Sequence, residues 1–305
     1  MAQYKHDRFF KLYIQSLYKT KGNTQQNIQV RNDEDLEIDL MFMGDRSNPA
    51  WEDEDLGLFD QLMEEHPTIV VEHYSSYLEA TDVLKSITRK NLYWEPKQKD
   101  LVEAAKKEQN LTSSNRLSKE NVERIENQNP FTWILAVNCS ENLLKLCGAQ
   151  PDPTLGVGVY RLVGLLRMGI VVISKIADVP EAIWLKMLGD RESATQAFGS
   201  IQQLSSDRRE KTDIMSTCKK YCVYLKELST TTPLTPEEQD LMRTMPEIDA
   251  WYETEMNNAK LEGEERRNQA IALDMLRRNF PLGTIAEITG LTIEQLEKLS
   301  SSPTE

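Results

Sequence analysis

TIVVEHYS, residues 68 to 75, is the stretch on which the fold turns. Ile69, Val70 and Val71 form a β-branched run with the pattern of a buried strand, and Glu72 ends that run where a carboxylate meets the edge of a sheet. Such an acid is either a solvated strand end or a metal ligand.

The segments upstream supply partners for this strand. HDRFFKLYIQSLYK, 6 to 19, spaces Phe9, Phe10, Leu12, Tyr13, Leu17 and Tyr18 as an amphipathic helix that packs on a sheet. IQVR at 28 to 31 and LEIDLMFM at 36 to 43 read as two strands joined by NDED. The second alternates Leu36, Ile38, Leu40 and Phe42 against Glu37, Asp39 and Met41, which puts Asp39 on the face opposite the apolar one. GDRSNPAWEDED is a loop, DLGLFDQLMEE a short helix, and HPTIVVEHY the third strand.

Downstream, Leu78, Val83, Leu84, Ile87 and Leu92 suit a helix from Tyr77 to about Trp94, and a charged helix or loop continues through 98 to 127. WILAVN, 133 to 138, is a fourth strand, followed by a helix that Ser140 caps. GVYRLV (158 to 163) and GIVVISKI (169 to 176) are two further strands or a strand pair. The remainder is helical: PEAIWLKML, 192 to 204, 207 to 228, PEEQDLMRTM and a polar helix from about 248 to 279. FPLGTIAEITGLTIEQLEKL ends the chain as two short helices with a glycine turn at Gly290 and an N-cap at Thr292, in the manner of a helix-turn-helix. Its second helix sets Glu294 and Glu297 against Lys298, which favours protein packing or dimerisation over contact with phosphates.

With 305 residues, 39% of them hydrophobic, the chain can bury a sizeable core. No run of 18 apolar residues and no secretory leader is evident, so the expectation is a protein of the bacterial cytoplasm without a membrane contact. Four cysteines in this context read as reduced thiols. Cys218 and Cys222 share a helix face without a histidine near them and fit core thiols better than zinc ligands. GVGVY at 156 to 160 lacks the third glycine and the acidic ribose partner of a dinucleotide site, and neither G-x-S-x-G nor G-K-[ST] occurs.

The net charge of -13 argues against a surface that attracts nucleic acid everywhere, but its distribution is uneven. Residues 33 to 65 hold thirteen acids against one base, Arg46, whereas 1 to 31 hold six bases against Asp7, and 85 to 124 ten bases against six acids. An acidic centre between basic flanks describes a divalent-metal site beside a phosphate-binding surface, and a solvated acidic loop gives the same counts. Acids on two adjacent strands, Asp39 and Glu72, can converge on one hard cation. Such a site usually adds a lysine, and position 74, where the simplest arrangement would carry it, is Tyr74.

HDRFFK at 6 to 11, E-x-D at 37 to 39 and VVEHYS at 70 to 75, in this order and followed by a helix, resemble the PD-(D/E)XK nuclease superfamily. The nearer likeness is to its Rpn-type recombination-promoting nuclease and transposase-like branch, and closest to a set of uncharacterised bacterial proteins of about this length. It covers most of residues 6 to 204, and the tail from Ala270 to Leu299 resembles the short tail of Rpn-type proteins. The resemblance implies a restriction-endonuclease-like α/β core over 1 to 190, a mixed sheet flanked by helices, then a helical region over 191 to 279 and the helix-turn-helix-like tail over 280 to 305. It implies Mg²⁺- or Mn²⁺-dependent hydrolysis of a DNA phosphodiester, linked to recombination or mobile elements. Asp39 and Glu72 would hold the metal and Lys85 would assist the water, with Asp7, Glu37, Tyr74 and Arg89 in support. Lys85 and Arg89, four apart, lie on one helix face. The basic helices around 5 to 21 and 85 to 107 would steer the DNA backbone. The rival expectation is an inactive nuclease scaffold acting through protein partners or a homo-oligomer, with helices 192 to 279 as its interface.

Overall fold

A computed structural model describes residues 4–30, 37–109, 116–205, 208–234, 236–243 and 245–301. The NDED joint and Leu36, both expected between the first two strands, lie outside the described residues, as does the side chain of Asp7. The chain divides into two compact units, 1–245 and 246–305.

The first unit is α/β. In chain order it contains α1 (Tyr4–Tyr18), β1 (Gly22–Gln29), β2 (Glu37–Gly44), α2 (Ala50–Asp53), α3 (Leu58–Glu64), β3 (Thr68–Leu78), α4 (Ala80–Glu108) and α5 (Lys119–Glu126). There follow β4 (Phe131–Cys139), α6 (Glu141–Leu146), β5 (Gln150–Pro151), β6 (Val159–Arg161), β7 (Met168–Val172), α7 (Ile183–Lys186), α8 (Arg191–Gln203), α9 (Arg209–Leu228) and α10 (Pro236–Arg243). The strands make one seven-stranded sheet in the order β1-β2-β3-β4-β7-β6-β5. It is mixed: β3, β4 and β7 run parallel, and antiparallel pairs complete both sides.

The parallel centre is buried on both faces, which is why β4 and β7 are nearly unbroken apolar runs. Consecutive residues of β3 meet different covers, as the two-residue period of a strand requires. His73 stacks on Phe10 of α1 at 4.9 Å, whereas Glu72 and Tyr74 reach side chains of α4. On the α1 side the layer is aromatic, with Tyr18 against Phe42 and the Tyr13 hydroxyl donating to the carbonyl of Trp184. On the α4 side Leu78, Val83, Ile134, Ala136, Ile170 and Val172 close the core. Gly169 is fixed by packing, because a Cβ there would stand 2.1 Å from the ring of Trp133.

Several elements differ from the sequence reading. β1 spans 22–29, not 28–31: its GNTQQNIQ sequence has little apolar content, and as an edge strand it alternates half-buried and exposed residues without a hydrophobic face. α4 runs 29 residues, through Pro96, where the sequence suggested a break near Trp94. Its start is fixed by a reciprocal pair of hydrogen bonds between Glu79 and Asp82. Ser140 caps α6 as expected, its hydroxyl oxygen accepting from the Leu143 amide at 3.0 Å.

The domain boundary also moves. α9 belongs to the first unit and not to a separate helical region, because it packs on α1: Tyr221 meets Phe9 with ring centroids 5.2 Å apart, and the Thr217 hydroxyl bonds Ser16 at 3.0 Å. Cys218 and Cys222 are buried in this contact layer as thiols.

The second unit consists of most of α11 (Met245–Arg277), then α12 (Leu282–Thr289) and α13 (Ile293–Ser301). Ala272, Ile285, Leu291 and Leu296 form its small core. Gly290 ends α12 in the left-handed region at φ 71°, and Thr292 caps α13 through a reciprocal pair with Gln295. Among the described residues no helix is long and apolar enough to cross a membrane.

Candidate functional site

The backbone pairs between β2 and β3 run from Met43↔Thr68 to Leu40↔Val71. Asp39 and Glu72 are each the next residue beyond that last pair, so an antiparallel register sets the two acids side by side where the ladder stops. On the other flank, the β1–β2 pairs include Gln26↔Leu40 and Ile28↔Ile38 and skip the position between them, occupied by Asn27 and Asp39. Asn27 has φ 50°, a left-handed conformation that asparagine tolerates better than most residues. The sheet is thus locally irregular on the strand beside Asp39.

Glu72 is 0% exposed. Its Oε2 accepts from an Arg89 guanidinium nitrogen at 2.6 Å, while its Oε1 is buried without a hydrogen-bond partner. Burial first, then the charge of Asp39, push the Glu72 carboxyl well above the ordinary carboxylate range, against the opposing pull of Arg89. The Asp39 side chain is 19% exposed and is the solvent-facing member of the pair.

Two cations flank the acids. Arg89, 18% exposed, comes from the third turn of α4 and holds Glu72. Burial works against its charge, but Glu72 and Asp39 more than offset this and raise its pKa. Lys11, on α1, is 6% exposed, with its ammonium 4.0 Å from Asp39 Oδ1 and hydrogen-bonded to the side-chain oxygen of Asn27. The two acids and two cations balance formally.

The expected residues are distributed as follows. Asp39, Glu72 and Arg89 come together. Lys85 does not join them: its side chain is 56% exposed and its ammonium lies 4.0 Å from Asp82, one turn back on α4. The four-residue spacing aligns Lys85 and Arg89, but the strand lies under Arg89 and the helix end carries Lys85 into solvent. Tyr74 is no substitute cation. Its hydroxyl reaches Ser86 at 3.1 Å and the Asp82 carbonyl at 3.2 Å, and burial followed by the charge of Glu72 keeps it protonated. Glu37 begins β2 opposite Gln29. Lys11 and Asn27 were not assigned from sequence, although Lys11 stands in the HDRFFK segment that carries the family likeness.

The donor set is hard oxygen, suited to Mg²⁺ or Mn²⁺. Among the described residues no cluster of three or more His, Cys, Asp or Glu could hold a metal, so the chain offers two carboxylates and water or phosphate oxygens would complete the shell. Glu72 Oε1 is buried without a hydrogen-bond partner, and the charge of Asp39 acts on the same carboxyl. A cavity of about 560 Å³ is lined by Asp55, Asp178, Glu181, Trp184, Gln196 and Arg208, and neither Asp39 nor Glu72 lines it. Comparisons with models of protein families, with curated proteins and with solved structures give no match.

Proposed function

We propose that the chain is a divalent-metal-dependent DNA endonuclease on a restriction-endonuclease-like core, working in the bacterial cytoplasm. The observation that carries this reading is the acid pair: Glu72 Oε1 is buried, without a donor and next to a second carboxylate, an arrangement that a shared cation relieves. Asp39 and Glu72 are the residues that would hold Mg²⁺ or Mn²⁺. The ion, when bound, lowers the pKa of a water and neutralises phosphate charge. Arg89 fixes the rotamer of Glu72 through their 2.6 Å contact, and Asp39 presents the open side to solvent and substrate. The basic stretches of α1 and α4 supply sequence-independent attraction for a nucleic-acid backbone.

The test is cleavage of single-stranded, duplex and branched DNA with Mg²⁺ or Mn²⁺ by the wild type, Asp39→Asn and Glu72→Gln. Cleavage by the wild type and its loss in both variants is the expected result. A second reading, a scaffold that acts through protein partners or as a homo-oligomer, draws on the complete burial of Glu72 against Arg89 and on the -13 charge. It gains if the wild type neither cleaves DNA nor binds Mn²⁺ by calorimetry.

A further inference from the structure

The edge at which the parallel strands begin is basic. His66 stands just before β3, Phe131 opens β4, Arg161 ends β6 and Arg167 immediately precedes β7, so the register of the sheet brings all four together. His66 stacks on Phe131, and the Arg161 guanidinium lies over the same ring at 5.0 Å. Glu72 is six residues beyond His66, about 20 Å along an extended chain.

Arg167 is the cation here without a counterion. Its Nη2 faces His66 Nδ1 at 3.4 Å, its Nε is buried without a hydrogen-bond partner, and no carboxylate among the described residues pairs with it. The nearby acids are engaged elsewhere: Arg161 holds Asp152 at 2.8 Å and also bonds Glu65. Lys90 of α4 adds a buried ammonium that donates to the carbonyls of Leu166 and Arg167. These bonds tie down the loop in which Arg167 takes a left-handed φ of 46°, a conformation that persists in a non-glycine residue only where its surroundings enforce it. The crowding of positive charge registers on both neighbours. After burial, Arg167, Arg161, Arg46 and Lys90 lower the His66 pKa to about 4, and burial with Arg167 lowers that of Lys90 to about 8. In a chain with 49 acids against 36 bases, a half-buried guanidinium set among cations and facing no acid is the setting of an anion receptor.

We infer that Arg167 anchors a phosphate-binding site at the edge where β3, β4 and β7 begin, with Lys90 fixing its loop and Arg46 adding positive potential. The planar guanidinium fork matches two phosphate oxygens at once, which an ammonium does not. The inference is independent of the nuclease reading, since neither Asp39 nor Glu72 takes part.

The test titrates the full-length protein with inorganic phosphate by calorimetry in EDTA, with chloride at equal ionic strength as the control, for wild type, Arg167→Asn and Arg46→Ala. Asparagine tolerates the left-handed backbone and removes the fork. Phosphate binds the wild type saturably, and Arg167→Asn weakens it about tenfold or more, as for the loss of hydrogen bonds to a charged group. Arg46→Ala, at an exposed position, weakens it about threefold through potential alone. Short duplex DNA as a competitor separates two sources of the phosphate: displacement identifies a nucleic-acid backbone, and failure to displace identifies a free phosphoanion. A wild type that takes up phosphate no better than chloride overturns the inference, as does wild-type affinity in Arg167→Asn. Should Arg167→Asn not fold, unchanged affinity in Arg46→Ala overturns the placement of the site.

Discussion

Two buried clusters in the first unit have the same formal composition and different wiring. At one, Lys21 and Arg209 meet Asp60 and Glu54; at the other, Lys11 and Arg89 meet Asp39 and Glu72. In the first, each acid has its own donors. Asp60 Oδ2 accepts from Lys21 at 2.6 Å and from the Leu56 amide at 2.8 Å, and Glu54 accepts from Arg209 at 2.7 Å and Thr20 at 3.0 Å. Both clusters leave one carboxylate oxygen without a hydrogen bond, Asp60 Oδ1 and Glu72 Oε1. The surroundings of the two carboxyls differ: the hydroxyl of Tyr18 acts on Asp60, whereas the charge of a second acid, Asp39, acts on Glu72. One cluster is cross-linked; in the other two acids oppose each other.

The largest effect tests the cross-linked cluster. Lys21 is 0% exposed and also donates to the Glu54 carbonyl, joining the end of α1 to the loop before α3. Lys21→Met leaves Asp60 buried without its partner and costs about 3–5 kcal/mol in denaturant unfolding, with Mn²⁺ affinity unchanged. A shift in Mn²⁺ affinity would break the distinction between the clusters.

The next effect, from a group in neither cluster, calibrates the sign of the pH response. His66 stacks on Phe131 with ring centroids 4.5 Å apart. Burial, then the positive charges of Arg167, Arg161, Arg46 and Lys90, lower its pKa from 6.5 to about 4. Its folded pKa lies below its unfolded one, so its contribution is present above pH 6.5 and is lost as pH falls towards about 4. His66→Phe keeps the stack and removes about 2 kcal/mol of that acid-side loss, read as a flatter stability profile from about pH 7 to pH 4.

How far the sequence reveals this site depends on which element is asked. Asp39 and Glu72 are legible as candidates because each is an acid set within or at the end of a strand-patterned apolar run, although residues 45 to 67, with two helices, connect the two strands. The identity of the cation on α4 is not, since the helical period aligns Lys85 with Arg89 but says nothing of which turn lies over Glu72. Lys11 is less legible still: flanked by Phe10 and Leu12, it reads as the polar phase of an amphipathic helix, yet it is buried and reaches Asn27 of β1. β1 in turn is hidden by its polar GNTQQNIQ sequence, and the same polarity hides the irregularity at Asn27. The placement of α9 on α1 was equally out of reach, because an apolar helical stripe specifies burial and not the partner.

The smallest expected change in stability is the one that separates the clusters most sharply. Glu72→Gln keeps the side chain's shape and an acceptor for Arg89, removes a carboxyl whose ionisation burial and Asp39 oppose, and offers Asp39 an amide donor. Stability at neutral pH therefore rises by about 1 kcal/mol, the net worth of one new hydrogen bond, although the buried acid that Arg89 holds has been replaced. The pH profile carries the sign. The folded pKa of Glu72 is raised above its ordinary 4.5, so its contribution is present below 4.5 and is lost as pH rises through the folded value. Glu72→Gln removes this alkaline-side loss, opposite in direction to the loss that His66→Phe removes on the acid side. Mn²⁺ binding disappears in the same variant, because one of the two carboxylates has gone. A Glu72→Gln protein that instead loses 3–5 kcal/mol, as Lys21→Met does, would make the Asp39–Glu72 cluster a second structural cross-link.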